Sequence, residues 1–488
     1  MKRQFTAFFF LLSALIITGC AVNPVSGKHD FVLMNESQEI ALGRNYHPKI
    51  IKQFGRYNDP KLQEYVSYVG NRLATSSHRS NIVYRFTVLD SPDVNAFALP
   101  GGYIYIYRGL LSYLNSEAEL AAILGHELGH VTARHGVRQQ SAATAANLGY
   151  TIGQIFIPEL RNNASQNVFG VLSGAMLSGY GREHELQADA LGAEYLARAG
   201  YDPNAIITVL KVLRNQSEFS KEIAKTEGRK IQSYHGLFAT HPDNDTRLQS
   251  VVSRGKTFLS KTKPAKDNSK FFQMIEGLTF GDGAAEGIRR KNCFYHRDLG
   301  FAIYFPEGWI LKNDPDRLSA LAPQGKAFAA LTVQDINKRI SPKEFIVERL
   351  GFTKLKEGKE ISPNNLTGYT ALSKIKTAKG IRLGRLSIIY FKDKAFFLIN
   401  AAKEIYMEKE TNDKMLKTAL SFHPLKKEEL SLAESLKIHP TRAEKSTTYK
   451  KLADKSRIPG YAESQLRLLN NQYPKGEPIP GKIIKIVR

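Results

Sequence analysis

The sequence predicts an α+β protein in three parts: a mainly helical first domain with a small β-sheet, an α/β accessory domain, and a small closing β-α-α-β unit. Three observations lead there. At 488 residues the chain is too long for one ordinary core, so about two or three domains are expected. Apolar residues recur with helical spacing through most of the first half, switching to a strand-like pattern only around 82–107. Past a Lys- and Pro-bearing stretch at 261–270, runs such as Phe301 to Phe305 and Leu386 to Phe391 read as strands. Hydrophobic residues make up 42% of the chain and charged residues 24%, enough apolar surface to offset ordering entropy, which excludes wholesale disorder.

The formal charge of +23 favours anionic surroundings. No zinc knuckle, RNA-recognition signature or base-reading basic helix accompanies it, so nucleic acid is not an expected partner. At the N-terminus, Lys2 and Arg3 precede an apolar run from Phe5 to Ile17, short for a membrane span and right for a secretory signal core. The run ends in Ile17-Thr18-Gly19-Cys20, which resembles a bacterial lipobox. The resemblance implies a signal over residues 1–20, cleavage before Cys20, acylation of its thiol, and a membrane anchor. Ala21 after the cysteine favours the periplasmic face of the outer membrane by resemblance to sorting rules. With Cys20 acylated, Cys293 is the one remaining thiol, and no intrachain disulfide can form.

The first domain is expected over 21–258. Asn23 to Lys28 reads as a tether, Asn35 to Glu39 opens a helix, and a second helix begins near Asp59-Pro60, with Leu62, Tyr65, Val66 and Val69 on one face. Ile82 to Leu89 alternates like a strand. Asn95 to Leu99 and Tyr103 to Tyr107 form two extended segments joined at Pro100-Gly101-Gly102, a hairpin able to supply an edge strand for an extended peptide. Ser116 and Glu119 have capping-box spacing, so a helix should start at Glu117 and stop near Gly136. Ala142 to Tyr180 is an apolar, small-residue stretch broken at Arg161-Asn162-Asn163, read as core helices. A further helix runs from Glu183 to Ala199, ended by Gly200.

Residues 259–270 are expected to be a linker and 271–425 an α/β domain of mixed strand order, with helices at Pro342 to Leu350 and Asp413 to Leu420. Residues 437–488 carry helices at Tyr449 to Lys455 and Ala462 to Leu469 and a terminal strand at Ile483 to Val487. This order resembles a LysM module, which implies contact with cell-wall peptidoglycan. Glu444-Lys445-Ser446-Thr447 stands where that family has Gly-Asp-Thr, which leaves sugar binding open.

His126-Glu127-Leu128-Gly129-His130 is the H-E-x-x-H pattern. Two histidines four apart share one helix face, so both imidazoles can reach one Zn²⁺. Glu127 projects beside them, placed to take the proton of an activated water and return it to the leaving amine. A catalytic zinc needs a third protein ligand. A third histidine six residues after the second is absent, since that position is Gly136 and His135 falls one short. Glu185 on the later helix supplies a carboxylate, with Asp189 one turn on to accept a hydrogen bond from a zinc histidine. Glu183 competes for the ligand role but lies on another face from Asp189.

The capped His126-Glu127-x-x-His130 helix, Glu185-x-x-x-Asp189, Asn95-Ala96-Phe97 with Gly101-Gly102, and His241-Pro242 with Arg247 together resemble peptidase family forty-eight, which includes the HtpX, BepA and CAAX prenyl proteases. The likeness spans about Asn23 to Val252. It implies a gluzincin-type zinc metalloendopeptidase with one Zn²⁺ per chain: His126, His130 and Glu185 as ligands, Glu127 as catalytic glutamate, Asp189 as support, and His241 near the metal, stabilising an oxyanion or gating the open position. Protein or peptide substrates follow, and with the lipobox an envelope quality-control role. The alternative is a lipid-anchored assembly factor or wall-binding scaffold whose protease site is mostly shut.

Overall fold

Caps explain how the first helices begin. In the computed structural model, which describes residues 20–144, 180–226, 247, 268–314 and 317–488, helix α1 (Glu36–Phe54) starts on a reciprocal box. The Asn35 side chain accepts from the Gln38 amide and the Gln38 side chain accepts from the Asn35 amide. Asp59 caps α2 (Pro60–Ala74), whose first residue is a proline with no amide to leave unsatisfied.

Three strands follow: β3 (Arg85–Leu89), β4 (Ala96–Leu99) and β5 (Tyr103–Tyr107). β5 lies in the middle, parallel to β3 and antiparallel to β4, which leaves β4 at an edge. The turn between β4 and β5 needs glycine twice, with φ of 79° at Gly101 and 88° at Gly102. A side chain on Gly101 would also meet the Ile40 backbone at 2.6 Å. Tyr103, Tyr105 and Tyr107 face Tyr46, Ile50 and Phe54 of α1, while Val88, Ile104 and Ile106 face the main core. Helices α3 (Arg108–Tyr113), α4 (Glu117–Thr132), α5 (Arg182–Arg198) and α6 (Ala205–Thr226) complete this domain.

Several expectations are corrected. Asn23 to Lys28 is no loose tether: it turns between β1 (Cys20–Val22) and β2 (His29–Phe31). The Asn23 side chain is the reason, since its Oδ1 accepts from the amides of Val25 and Ser26 while its Nδ2 donates to Asp30. Ser116 does cap α4, but the Glu119 carboxylate accepts from the Asn115 amide, one residue before the expected partner. α4 stops at Thr132 rather than Gly136, because Arg134 turns the chain with φ of 55° and is held there by the buried Glu39. Residues 135–144 are again helical, with Gly136 inside them. Most of Ala142 to Tyr180 lies outside the described residues, as do residues 1–19, His241 and the expected linker up to 267. Among the described residues no helix is long and apolar enough to cross a membrane.

The accessory domain is antiparallel rather than α/β. Its seven-stranded sheet has the order β10 (Ile310–Asp314), β11 (Arg317–Leu321), β12 (Ala327–Asp335), β16 (Lys394–Ala402), β15 (Gly380–Phe391), β14 (Thr367–Thr377), β13 (Lys356–Ile361). Every pairing in it is antiparallel: short turns join each neighbouring pair except β12 and β16, which pair across the intervening β13, β14 and β15.

The boundary at residue 271 also moves. Helix α7 (Ser269–Met274) begins inside the expected linker, and Phe271, Phe272, Ile275, Leu278 and Phe280 bury themselves in the first domain's core. So does the closing unit: β18 (Leu436–Arg442), α9 (Tyr449–Asp454), α10 (Ala462–Leu469) and β19 (Ile483–Val487). β18 pairs antiparallel with β19 and with Thr279–Phe280. Leu436, Ile438, Tyr449, Leu466, Leu469 and Val487 join Leu110, Leu120 and Leu124 in one cluster.

Where the accessory domain meets the first domain, fully buried Arg108 pairs with Asp90 and donates to the carbonyls of Thr279 and Gly281. Burial and then the like charge of Asp90 push the nearby Glu286 carboxyl up to about 7. Folded Glu286 therefore holds a proton that the unfolded chain releases, so its effect is nil below its ordinary value of 4.5 and turns destabilising as pH rises towards about 7. Glu286→Gln should match the wild type in denaturant midpoint at about pH 4.5 and exceed it at about pH 8. Equal midpoints at both pH values would contradict this placement of the charge.

Candidate metal centre

Two helices build the site by coming unusually close. On α4 a Cβ added at Gly129 would meet the Ala188 carbonyl oxygen of α5 at 2.9 Å, and one at Gly192 of α5 would meet the His126 amide at 3.1 Å. Gly125, Gly129, Ala188 and Gly192 thus let the backbones approach until His126 and His130 from one helix and Glu185 from the other converge.

Both histidines present Nε2. The two Nε2 atoms are 3.1 Å apart, and each lies 3.5 Å from a Glu185 oxygen. Ligands about 2.0 to 2.1 Å from a tetrahedral Zn²⁺ would be about 3.3 Å from one another, so this triangle has the size that zinc requires. All three residues are buried. Glu127, one position after His126, is 1% exposed and borders a small recess. Ala122, Ile123 and His126 of α4 line that recess on one side and Ile206, Val209 and Leu210 of α6 on the other.

The opposite ring nitrogens fix the tautomers. His126 Nδ1 lies 2.9 Å from Asp189 Oδ1, an acceptor, so it carries the proton and Nε2 presents its lone pair towards the gap. His130 Nδ1 lies 2.9 Å from His135 Nδ1, and His135 Nε2 lies 2.9 Å from Gln187 Oε1. A consistent chain has His130 donating to His135 and His135 donating to Gln187, which again frees the His130 Nε2 lone pair. Burial, helped by the neighbouring His184 and Arg138, pulls the His135 imidazole down to about 3, so it stays a neutral acceptor. Tyr180 stacks on His130 with centroids 4.0 Å apart.

Arg247 ties the carboxylates together. Its Nε and Nη2 donate to the two Asp189 oxygens at 2.8 and 2.7 Å, and Nη1 lies 3.0 Å from Glu185 Oε2. Burial works to raise the Asp189 carboxyl, but the guanidinium outweighs it and holds Asp189 at about 2. Burial likewise works to lower His126, and the hydrogen bonds of Asp189 and Glu185 outweigh it, raising it to about 9. Glu127, Glu185 and Asp189 as carboxylates are balanced in charge by Arg247 together with one divalent cation.

Of the residues singled out in the sequence, His126, Glu127, His130, Glu185 and Asp189 come together here, Glu183 is exposed on the far side of α5, and His241 lies outside the described residues. The sequence reading missed the roles of Gln187, His184 and Tyr180, and saw His135 only as a misplaced ligand. His135 and Gln187 carried a signal only in their nearness in sequence, five residues after His130 and two after Glu185.

The α+β domain thus sets two histidines and a glutamate around a zinc-sized gap. Residues 60–254 match the model of peptidase family M48. The chain is similar to the "beta-barrel assembly-enhancing protease" of Yersinia pestis, at 28% identity over 50% of this chain and 52% of that protein. Its counterpart in Escherichia coli is also 28% identical, over 50% of this chain and 48% of the relative. The "mitochondrial metalloendopeptidase OMA1" of Arabidopsis thaliana is 32% identical over 37% of this chain and 33% of that protein. The chain thus spans about half or less of the length of these relatives.

Two outcomes test the geometry. Elemental analysis should find near-stoichiometric zinc in the wild type and in Glu183→Ala, and little in Glu185→Ala; loss on Glu183→Ala instead would move the third ligand. His135→Leu should weaken zinc affinity about 10- to 100-fold with all three ligands intact, read by competition with a chromophoric chelator. Unchanged affinity would mean that His135 does not orient His130.

Proposed function

We propose that this chain is a zinc-dependent endopeptidase of the bacterial cell envelope, hydrolysing peptide bonds of misfolded or misassembled envelope proteins. The supporting observation is the triangle of His126, His130 and Glu185 ligand atoms with Glu127 buried beside it. The relatives' name, beta-barrel assembly-enhancing protease, supports proteins bound for β-barrels as substrates. The lipobox-like sequence at Cys20 supports a lipid anchor at the periplasmic face of the outer membrane.

Zinc held by the three ligands supplies a Lewis acid that polarises the scissile carbonyl and acidifies water. The chain's own residues do the rest. Glu127 takes the proton of the attacking water on a carboxylate oxygen; as the carbon–nitrogen bond breaks, it passes that proton to the leaving amine nitrogen. Asp189 and His135 hold the two imidazoles in register. β4 is an edge strand whose Ala98 and Leu99 lie beside His130 and Tyr180, an edge on which an extended substrate backbone can pair. His241 is assigned an oxyanion-stabilising or gating part beside the metal. The 437–488 unit keeps its LysM-like reading from the β-α-α-β order.

Glu127→Gln should retain zinc and lose at least about a hundredfold in kcat on an unfolded protein substrate, the range a general base supplies. Equal cleavage by wild type and Glu127→Gln would rule out this role for Glu127.

A further inference from the structure

The closing unit meets the catalytic apparatus through one buried ammonium. Lys485 on β19 is 0% exposed, and its Nζ donates to the carbonyl oxygens of Ser112 and Leu114, each at 2.6 Å. Those carbonyls end α3 and precede α4, where helix-end oxygens lack intrahelical donors and attract a cation. Glu119 in the first turn of α4 is the carboxylate whose charge acts on Lys485, and the Asn471 side chain hydrogen-bonds to it. Asn470 grips the Lys485 backbone from both sides, accepting from its amide at 2.7 Å and donating to its carbonyl at 2.9 Å.

A second arm reaches α6. The Tyr473 hydroxyl donates to Glu222 at 2.5 Å, and the rings of Tyr461 and Tyr473 lie 6.2 and 5.8 Å from Phe219. α6 is the helix whose Ile206, Val209 and Leu210 face His126 and Glu127 across the recess. From Glu119 to Glu127 is eight residues, about 12 Å of rigid helix, so a shift at the first turn is carried to the metal ligands.

We propose that the C-terminal β-α-α-β unit is the positioning element of the peptidase site. Lys485, as a positioning residue, fixes the start of the helix bearing His126, Glu127 and His130, while Tyr473 fixes the opposite wall. The inference rests on the endopeptidase reading for its kinetic arm only.

The test uses the full chain carrying Lys485→Met, which keeps the buried stem and removes the donors. Amide exchange at residues 113–124 should accelerate about tenfold or more while the seven-stranded sheet keeps its protection. With zinc still bound, kcat should fall about 10- to 100-fold at nearly constant KM, the loss expected from a misplaced constellation. Unchanged exchange at 113–124, or uniformly faster exchange across the chain with kcat retained, would overturn the proposal. Should Lys485→Met not fold, Tyr473→Phe removes only a surface hydroxyl; it should speed exchange in residues 205–222 several-fold, and no change there would overturn the proposal equally. If the wild type cleaves nothing, the endopeptidase reading falls while the exchange measurements still decide the positioning role.

Discussion

The structure around the two site helices depends on burying charge where no water compensates it. Glu127, Glu185 and Asp189 are each at most 1% exposed, and an uncompensated buried carboxylate costs several kcal/mol. Arg247 offsets part of that cost by forking onto Asp189 while reaching Glu185. The remainder is the charge of a divalent cation, so metal binding and local folding are one equilibrium here. The guanidinium between the two carboxylates comes from far along the chain, at Arg247.

Such density of charge is possible only because the helices touch. Gly125, Gly129, Ala188 and Gly192 are interleaved with the ligands in sequence, so small residues alternate with chemistry-bearing ones along the same helix faces. Replacing any of them by a larger residue would separate Glu185 from the histidines before it disturbed either helix. The spacing rule for two histidines on one helix says nothing of this second requirement.

That difference marks what the sequence made legible. Local signals read well: Asn35, Asp59 and Ser116 cap the helices they precede, Gly101-Gly102 makes the turn between β4 and β5, and the last two helices and the terminal strand fall where periodicity and turns put them. The H-E-x-x-H and Glu185-x-x-x-Asp189 spacings likewise gather five side chains that do converge. What resisted reading is non-local. Arg134 ends α4 because Glu39 waits 95 residues upstream, and nothing near Gly136 announces it. Strand direction in the accessory domain depends on pairing choices that alternation cannot encode. The fusion of the closing unit with the first domain came from apolar residues at 436–487 that look, in sequence, like the core of an independent module.

That fusion completes a pattern in how α4 is held. Its C-terminal end is fixed by residues from the beginning of the chain, where Glu39 binds Arg79 and Arg134. Its N-terminal end is fixed by Tyr65 and Tyr201, whose hydroxyls donate to Glu117, and by Lys485 from the end of the chain. A helix clamped at both ends cannot slide or rotate without breaking buried hydrogen bonds at one end and the Glu39–Arg134 ion pair at the other, and breaking that pair costs roughly 3 to 5 kcal/mol. One residue of rotation is about 100° and would carry both imidazoles away from Glu185, so the contacts at the two ends hold the register that the site needs. Glu39 holds one end of this helix and Lys485 the other, and the metal-ligand side chains sit between them.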